Sequence, residues 1–396
     1  MTSIMKGVRV LEVAEHAFVP AAGALLSDWG AEVIKIEPVE RGDAARGLTT
    51  VGSDDVNVLF ENANRGKRSL ALDLATPEGR EILYKLVATA DVFMTNKLPK
   101  VRRKLQIDVE DIRAHNPNIV YVRGGGAGER GPHADRGSYD LLSFWHRSGA
   151  SRAVTGADGQ IPFLPAPGFG DFTGAMFIAG GTMGALFHRE RTGEAPVVDA
   201  SLLAAGMWSM GGSIAAAAWD ETWSWPPPTA NPLSRVYATK DDRRIGLCCL
   251  QAGYYWPILA RTIDRPDLAE DPRFSDHETL FANNIAAIDI LRDVFAGATL
   301  ADWCERLADF PGQWTVVRTA REVADDPQVE PNGYFQTVQT AAGASFKLVA
   351  APLQYDGQPA VPRRAPEFNE QGDAILAELG FDWDGIVDLK VRGVVA

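Results

Sequence analysis

The first two hundred residues alternate between short apolar runs and longer segments in which apolar side chains recur at helical spacing. The short runs predict strands at 8–13, 32–36, 69–72, 92–95 and 119–122, and the longer segments predict helices at 21–29 and 77–88. Such alternation predicts an α/β fold with a mostly parallel sheet that helices cover on both faces. Ligands of such sheets bind beyond the carboxyl ends of the strands.

A proline-rich break at residues 223–232, WSWPPPTANP, divides the pattern. A chain of 396 residues also exceeds the usual size of one core. We therefore expect a large domain built from residues 1–222 and 355–396. A smaller α+β domain is expected at 233–328, with linkers at 223–232 and 329–354.

Two long uncharged segments follow the alternating region. Residues 172–187 lead into basic residues and Gly193, the pattern of a helix C-terminus. Residues 201–219 contain no charge, which raises the question of a membrane span. Three glycines and three serines dilute this second segment, and we therefore expect a buried helix instead.

Asp171 is the most informative single residue, because it stands between glycines in GFGDFTG (168–174), where a loop gives way to the first apolar segment. It therefore falls at or near a helix N-terminus. The helix dipole there favours an ionised carboxylate, the form that attacks a carbonyl carbon. Taken alone, the residues leave two interpretations open: Asp171 is a nucleophile, or it is only a helix cap.

The overall charge of −13 excludes nonspecific binding to nucleic acid or to an anionic membrane, although a local basic groove could hold a small phosphorylated ligand. Only three cysteines occur, two of them adjacent, which fits a reducing cytoplasm. The N-terminus lacks the pattern of a signal peptide. No histidines or cysteines stand at metal-ligand spacing, so no metal site is expected.

Three weaker signals remain. Gly126, Gly128 and Gly131 match G-x-G-x-x-G, but Pro132 and a charged turn follow where a dinucleotide-binding helix should begin. His146 precedes Asp171 by 25 residues and is expected to be structural rather than catalytic. Two basic clusters are interpreted equally well as a phosphate cradle or as solvated faces; they comprise Arg65, Lys67 and Arg68, and Lys97, Lys100, Arg102, Arg103 and Lys104.

Several collinear segments resemble the class III CoA-transferase family, which includes formyl-CoA transferase, carnitine CoA-transferase and α-methylacyl-CoA racemase. The resemblance runs from Val8 to about Val395. Its carriers include GAEVIKIEP (30–38), NRGKRSLALDLATPEGR (64–80), GERGPHADRGSYD (128–140), GDFTGA (170–175) and HRERTGEAPVVDASL (188–202). Asp171 occupies the position of the family's catalytic aspartate.

The resemblance implies a Rossmann-like large domain, a smaller inserted domain and an interlocked homodimer. It implies no permanently bound cofactor, with coenzyme A entering as the acyl-CoA substrate and a carboxylic acid as the acceptor. Family positions that contact CoA correspond here to Ala17, Phe18, Arg46, Leu72, Asp73, Leu74, Ala75, Asn96, Lys97, Lys104, Leu105, Arg136, Tyr139 and Asp140. The thiol would reach Asp171.

The chain departs from the family pattern at several of these positions. Phe18 and Val19 stand where Ala-Gly is usual, and Lys97 and Lys104 replace Phe and Arg. A glycine-rich loop of the kind that covers the active site of formyl-CoA transferases is missing from the second domain. We therefore do not expect formate or oxalate to be a substrate.

One position distinguishes the racemases of this family from its CoA-transferases. A racemase of this family needs a histidine before the Asp of its GHD-like motif, and Tyr139 stands there in this chain. A phenol is a poor base near neutral pH, so an acyl-CoA:carboxylate CoA-transferase with an aspartyl anhydride intermediate is preferred to a racemase. A noncatalytic CoA-binding paralogue is the other alternative, which the retention of Asp171 opposes.

The identity of the acyl group stays open. Many large aromatic residues flank the expected site, and they either line a pocket for a bulky or apolar acyl chain or pack in the core and linker. They are Phe144, Trp145, Trp208, Trp219, Trp223 and Trp225.

Overall fold

A computed structural model describes residues 3–48, 56–156, 159–223 and 231–396 of the chain. The chain forms two compact units: one comprises Met1–Ala215 and Pro327–Ala396, and the other comprises Ala216–Asp326. Residues 224–230 of the expected first linker lie outside the described part.

The first unit contains a six-stranded parallel sheet in the order β3-β2-β1-β4-β5-β6. The predicted α/β fold with a mostly parallel sheet is thereby confirmed. The strands are β1 (Arg9–Val13), β2 (Glu32–Glu37), β3 (Arg68–Ala71), β4 (Val92–Thr95), β5 (Val120–Gly125) and β6 (Val197–Ser201).

Apolar side chains on the two faces of this sheet form two separate cores. On one face they pack with two helices, α1 (Phe18–Asp28) and α7 (Phe169–Thr192). On the other face they pack with residues of α3 (Pro77–Val87), α16 (Gly372–Glu378) and α17 (Trp383–Val391). The C-terminal helices thus complete the sheet's second layer.

The remaining helices of the first unit are short. They are α2 (Val58–Asn64), α4 (Pro99–Leu105), α5 (Val109–Arg113), α6 (Ala150–Ala153) and α8 (Leu202–Ser209), with a 3₁₀ turn at Ala44–Gly47 and a π-helical segment at Leu141–Arg147. A separate antiparallel hairpin consists of β10 (Phe335–Gln339) and β11 (Ser345–Val349), within the segment 329–354.

The second unit has its own apolar core and an antiparallel three-stranded sheet in the order β7-β8-β9. The strands are β7 (Val236–Ala238), β8 (Arg244–Leu247) and β9 (Trp314–Val316). The helices are α10 (Ala252–Thr262), α11 (Asp267–Glu270), α12 (His277–Ala282), α13 (Asn284–Phe295), α14 (Leu300–Arg306) and α15 (Ala320–Val323), with a 3₁₀ turn at Pro272–Phe274.

The second apolar segment differs from its prediction. It forms a strand end and two helices, α8 and α9 (Gly211–Trp219), instead of one buried helix. No residue of α9 is buried, and the side chain of Trp219 is 93% exposed. Along the described ranges, no single helix combines the length and apolarity needed to cross a membrane; α8 and α9, bent by 74°, meet that test together by length and composition only.

Candidate active site

The carboxyl ends of β1, β4 and β5 open into a cavity of about 1030 Å³, part of which is open to solvent, and we call it the central cavity. Ends of neighbouring parallel strands meet at one edge of a sheet, which is why residues distant in sequence converge here. The cavity is lined by Glu15, His16, Ala17, Phe18, Asn96, Lys97, Leu98, Val101, Gly124, Gly125, Gly126, Gly137, Ser138, Tyr139, Asp171 and Leu202.

Asp171 lies in the first turn of α7, and its side chain is half-buried at the central cavity. Gly168 precedes the helix with φ 72°, a left-handed conformation that glycine adopts without strain, and no side chain caps the helix. Asp171 is therefore not the cap that the alternative interpretation required. Its position in the first turn leaves the carboxylate directed to the cavity that it lines.

The electrostatics of Asp171 differ from expectation. The helix N-terminus was expected to favour the ionised carboxylate, yet burial and, secondarily, the charge of Asp140 raise the pKa of Asp171 to about 7. Burial removes the water that solvates the charged form, and it is the largest cause of this shift. At neutral pH the carboxyl group is poised between its two protonation states.

Asp140 supports this site from the start of the π-helical segment Leu141–Arg147. Its side chain is 7% exposed, and its Oδ1 accepts a hydrogen bond of 2.6 Å from the backbone N–H of Leu141. Its Oδ2 is buried and makes no hydrogen bond of standard geometry to any described residue. Burial raises the pKa of Asp140, although the backbone groups of Leu141 and Gly170 oppose this shift. Two carboxyl groups with raised pKa values thus share one location, a pattern typical of functional sites.

A second cavity, of about 710 Å³, lies at the carboxyl ends of β1 and β2, and we call it the strand-end cavity. Lys97 lines both cavities. The remaining lining residues of the strand-end cavity are Val13, Ile36, Glu37, Pro38, Val39, Glu40, Leu72, Asp73, Leu74, Ala75 and Leu105. Apart from Lys104, the residues that the resemblance placed around CoA between 72 and 105 therefore divide between two cavities that share Lys97.

Asn96 and Lys97 fix the wall between β1 and β4. The amide of Asn96 donates to the backbone oxygen of Glu15 at 2.6 Å, and its oxygen accepts from the backbone N–H of Glu15 at 3.1 Å. Lys97 Nζ pairs with Glu15 Oε2 at 2.6 Å. Lys97, which replaces an aromatic residue of the family pattern, is thus held by an acidic partner in the segment that follows β1.

A buried ionic network lies behind this wall. Lys35 Nζ contacts Asp43 Oδ2 at 2.7 Å and Glu12 Oε1 at 3.2 Å, and Lys67 Nζ contacts Glu12 Oε2 at 2.7 Å. All four side chains are at most 5% exposed. Burial opposes the charge of Lys35, but Asp43 and Glu12 raise its pKa, so that charge is retained. Asp43 Oδ1 also accepts a hydrogen bond of 3.0 Å from the backbone N–H of His16.

Four expected CoA contacts line neither cavity: Asp140, described above, and Arg46, Lys104 and Arg136. Arg46 is bound bidentately to Glu37, at 2.8 and 2.7 Å, and lies over the Phe60 ring at 4.2 Å. It is absent from the residues that line the two cavities. Lys104 is exposed in the last turn of α4. Arg136 is exposed and lines a neighbouring cavity that shares Gly137 and Ser138 with the central cavity.

The basic cluster around residue 67 is neither a phosphate cradle nor a solvated face. Arg65 pairs with Asp28 at 2.7 Å, Lys67 belongs to the buried network, and Arg68 pairs with Glu32 at 2.6 Å. All three side chains form structural ion pairs. A sequence pattern cannot reveal these pairs, because the acidic partners lie on other elements. In the second cluster, Arg102 is likewise buried against Glu129.

Of the other sequence signals that the structure describes, only Gly126 of the G-x-G-x-x-G match lines the central cavity. No helix follows Gly131 before residue 141, so the dinucleotide fingerprint lacks the helix that it requires. His146 is exposed and its Nδ1 lies 3.0 Å from Ser151 Oγ. Of the aromatic residues, Phe144 and Trp145 are buried, whereas Trp208 and Trp219 are largely exposed. None of these four, nor Trp223, lines the central cavity or the strand-end cavity. Trp225 lies outside the described residues.

Several lining residues were missed by sequence reasoning. One of them is His16, whose left-handed φ of 67° could not be predicted from the local sequence pattern. The glycines at the end of β5 gave a usable signal: a Cβ at Gly124 would lie 2.6 Å from Val19 and 3.1 Å from Phe18. The run of three glycines from 124 to 126 therefore marks close packing beside the cavity, and it could have been recognised as such.

Comparisons with known proteins decide the family. A model of CoA-transferase family III matches residues 5–372. The chain belongs to this family. The expected family resemblance is thereby confirmed, and the protein is a CoA-transferase that uses CoA thioesters as substrates.

The individual relatives agree over nearly the whole chain. The (R)-2-hydroxy-4-methylpentanoate CoA-transferase of Clostridioides difficile is 29% identical over 398 residues and covers 99% of both chains. The cinnamoyl-CoA:phenyllactate CoA-transferase of Clostridium sporogenes is 28% identical, covering 98% of this CoA-transferase and 96% of the relative. A crystal structure of a CAIB/BAIF family protein from Brucella suis superposes with a TM-score of 0.83 and 26% identity, covering 96% of this chain and 100% of the other.

Proposed function

We propose that this CoA-transferase moves CoA from an acyl-CoA thioester to a free carboxylic acid, with Asp171 as the nucleophile. The observation that carries the proposal is the half-buried carboxylate of Asp171 at the central cavity, in the first turn of α7. Burial keeps this carboxylate poorly solvated, and its pKa of about 7 still leaves an ionised, nucleophilic fraction at neutral pH.

The chemistry balances over four attacks. The Asp171 carboxylate attacks the thioester carbonyl, the C–S bond breaks and CoA thiolate leaves, giving a mixed anhydride. The thiolate then attacks the aspartyl carbonyl, which releases the first acid and gives an aspartyl-CoA thioester. The incoming carboxylate displaces CoA thiolate from this thioester to form a second anhydride. Attack of the thiolate on the substrate carbonyl of that anhydride forms the new acyl-CoA and returns Asp171 as a carboxylate.

The two cavities support a placement for CoA. The adenosine end would occupy the strand-end cavity beside Leu72–Ala75 and Leu105, and the thiol end would enter the central cavity past Lys97 toward Asp171. Exposed Lys104 at the end of α4 would meet a phosphate group. Arg46, held by Glu37, would act on this site only by fixing the loop after β2.

The acyl group that we propose has an apolar body. Phe18, Leu98, Val101 and Leu202 supply apolar walls to the central cavity. The two curated relatives described above are named for acids with a branched or an aromatic carbon skeleton. An acid of that kind places its skeleton against the apolar walls and its carboxyl group at Asp171.

The working form that we propose is a homodimer, interlocked as the family resemblance implies. Along α7, Phe177, Gly180, Gly184 and Phe187 share one face by their spacing of three and four residues, and all four are exposed. Phe177 and Phe187 are 42% and 65% exposed, and a Cβ at either glycine would meet nothing within 4 Å. A face with two large rings and two glycines is suited to close helix packing against a second copy.

The test is exchange of an isotopically labelled acid into its own CoA thioester, followed by mass spectrometry over a panel of acyl chains. Wild-type protein is expected to incorporate label for at least one acid, and Asp171→Asn is expected to lower the rate by more than about 10³-fold while CoA still binds. Hydroxylamine added during turnover should convert Asp171 to a hydroxamate. Turnover without any adduct on Asp171, or turnover by Asp171→Asn, would contradict the proposal.

A further inference from the structure

His16 lines the central cavity, and its imidazole nitrogens are not used in hydrogen bonds to the described residues. Asn96 uses both ends of its amide on the backbone of Glu15, and Lys97 is paired with the Glu15 carboxylate. Ser138 Oγ lies 2.7 Å from Ser143 Oγ. Within the described ranges, the imidazole of His16 makes no hydrogen bond.

The position of His16 is nevertheless fixed. Its φ of 67° is a left-handed conformation that costs a non-glycine residue energy and persists only where surrounding structure imposes it. Asp43 imposes it here by accepting the His16 backbone N–H at 3.0 Å, while Lys35 holds Asp43 at 2.7 Å. The His16 ring meets the Tyr139 ring edge to face, with centroids 5.5 Å apart. A backbone anchor and a ring contact therefore hold the imidazole at the cavity.

The surrounding walls determine what the imidazole can recognise. Phe18, Leu98 and Leu202 offer no hydrogen-bonding side chain, and Tyr139, which also lines the cavity, is 59% exposed. A polar substituent of an acyl group that lies against the apolar walls would therefore lose water without compensation unless His16 bound it. Imidazole offers an N–H donor and, in its neutral form, an acceptor on the second nitrogen. A hydroxyl group both donates and accepts, and it matches that pair.

We propose that His16 is a specificity-determining residue that hydrogen-bonds a hydroxyl group on the acyl chain close to its carboxyl carbon. The protein would therefore prefer hydroxylated acids, and their CoA thioesters, to the corresponding acids without the hydroxyl. This inference rests on the proposed CoA transfer between acids, which it deepens by naming a substrate class.

The test compares two self-exchange reactions that differ only in one hydroxyl. Labelled 2-hydroxyhexanoate is exchanged into 2-hydroxyhexanoyl-CoA, and labelled hexanoate into hexanoyl-CoA. His16→Gly, which accepts the left-handed backbone, removes the ring, whereas His16→Asn accepts the same backbone and keeps a hydrogen-bonding group. His146→Asn serves as the matched control, because His146 is exposed and lies outside both cavities.

Wild-type protein is expected to favour the hydroxy acid in kcat/KM. His16→Gly should lower kcat/KM about fivefold for the hydroxy acid, since a net hydrogen bond contributes about 1 kcal/mol, and by less than about twofold for hexanoate. His16→Asn should restore part of the preference, and His146→Asn should leave it unchanged. The loss should fall mainly on KM.

Equal losses for both acids in His16→Gly would show a merely structural role and overturn the inference. An unchanged preference in that variant, or no exchange of either acid by a preparation that turns over other acyl-CoAs, would also overturn it. Absence of exchange with every acid tested would instead contradict the proposed function, and the inference would fail with it.

Discussion

The carboxyl groups of Asp140 and Asp171 interact electrostatically at the start of α7. Burial raises the pKa of Asp171 first, and the negative charge of Asp140 adds to the shift, to about 7. Two carboxylates that share a poorly solvated location resist simultaneous ionisation, so their titrations are coupled. Because only the ionised form of Asp171 attacks a thioester, this relationship sets the pH at which the proposed transfer proceeds.

We expect kcat/KM for acyl-CoA exchange to rise with pH through about 7, as Asp171 loses its proton. Asp140→Asn removes the like charge and keeps the size of the side chain and its capping ability. The midpoint of the pH profile should therefore move to lower pH, and activity at pH 6 should exceed that of wild type relative to the plateau. Rates measured between pH 5 and 9 check this.

The control for this profile is Asp384→Asn, which removes an exposed carboxylate in the first turn of α17, outside both cavities. It should leave the midpoint unchanged. A midpoint in Asp140→Asn equal to that of wild type would show that Asp140 does not act on Asp171.

Asp171→Asn should stabilise the fold at alkaline pH. The pKa of Asp171 is raised in the folded state from 3.8 to about 7, so the folded protein binds more protons than the unfolded chain between those values. Stability from this group is therefore present below pH 4 and falls as pH rises toward 7. The amide cannot ionise and avoids this loss.

The expected gain from Asp171→Asn is on the order of 2 kcal/mol at pH 8, after allowance for partial solvent exposure, and close to zero at pH 4. Thermal or urea unfolding of both proteins at the two pH values measures it. Equal stability differences at pH 4 and pH 8 would contradict the raised pKa.

Much of this fold could be predicted from sequence, because buried parallel strands such as β4 are continuous apolar runs and helices such as α3 carry clear periodicity. The edge strand β6 was missed because it contains exposed Asp199, which pairs with Arg123 and breaks the apolar run. Segment 201–219 was predicted to be buried because it is apolar. Apolar composition does not show whether the same chain or another one covers such a surface. In the single chain, α9 is exposed.

The site shows the same division. The position of Asp171 followed from its glycine neighbours and from the family resemblance. Its pKa could not be predicted, because the dominant causes are burial and Asp140, which reach it through tertiary packing. The roles of Arg46 and Lys67 were likewise hidden, since their partners Glu37 and Glu12 lie on other elements. Local motifs identify chemistry, whereas long-range ion pairs decide which charges remain free.

The homodimer gives a prediction about the exposed face of α7. Phe187→Glu places a charge beside Gly184 on that face and should dissociate the dimer or weaken it by at least about tenfold, because an unpaired charge is costly in an apolar interface. Sedimentation across a wide dilution range measures the change. Wild type should show no monomer.

Asp384→Asn is the control, because Asp384 is exposed on α17 and does not belong to this face of α7. It should sediment as wild type. A wild-type monomer with full secondary structure would contradict the interlocked arrangement, and an unchanged Phe187→Glu dimer would exclude this face from the interface.

We finally expect the protein not to epimerise 2-methylacyl-CoA thioesters at a significant rate. Racemisation needs proton-transfer groups on both sides of the α-carbon. Tyr139 lines the central cavity at the position where a racemase base is required, and a phenol has a reference pKa of about 10. Incubation with a 2-methylacyl-CoA in deuterated buffer should leave the α-hydrogen in place. Rapid deuterium incorporation that Asp171→Asn abolishes would contradict the transferase assignment, and His16, which shares the cavity with Asp171, would then be the first partner base to test, ahead of His146.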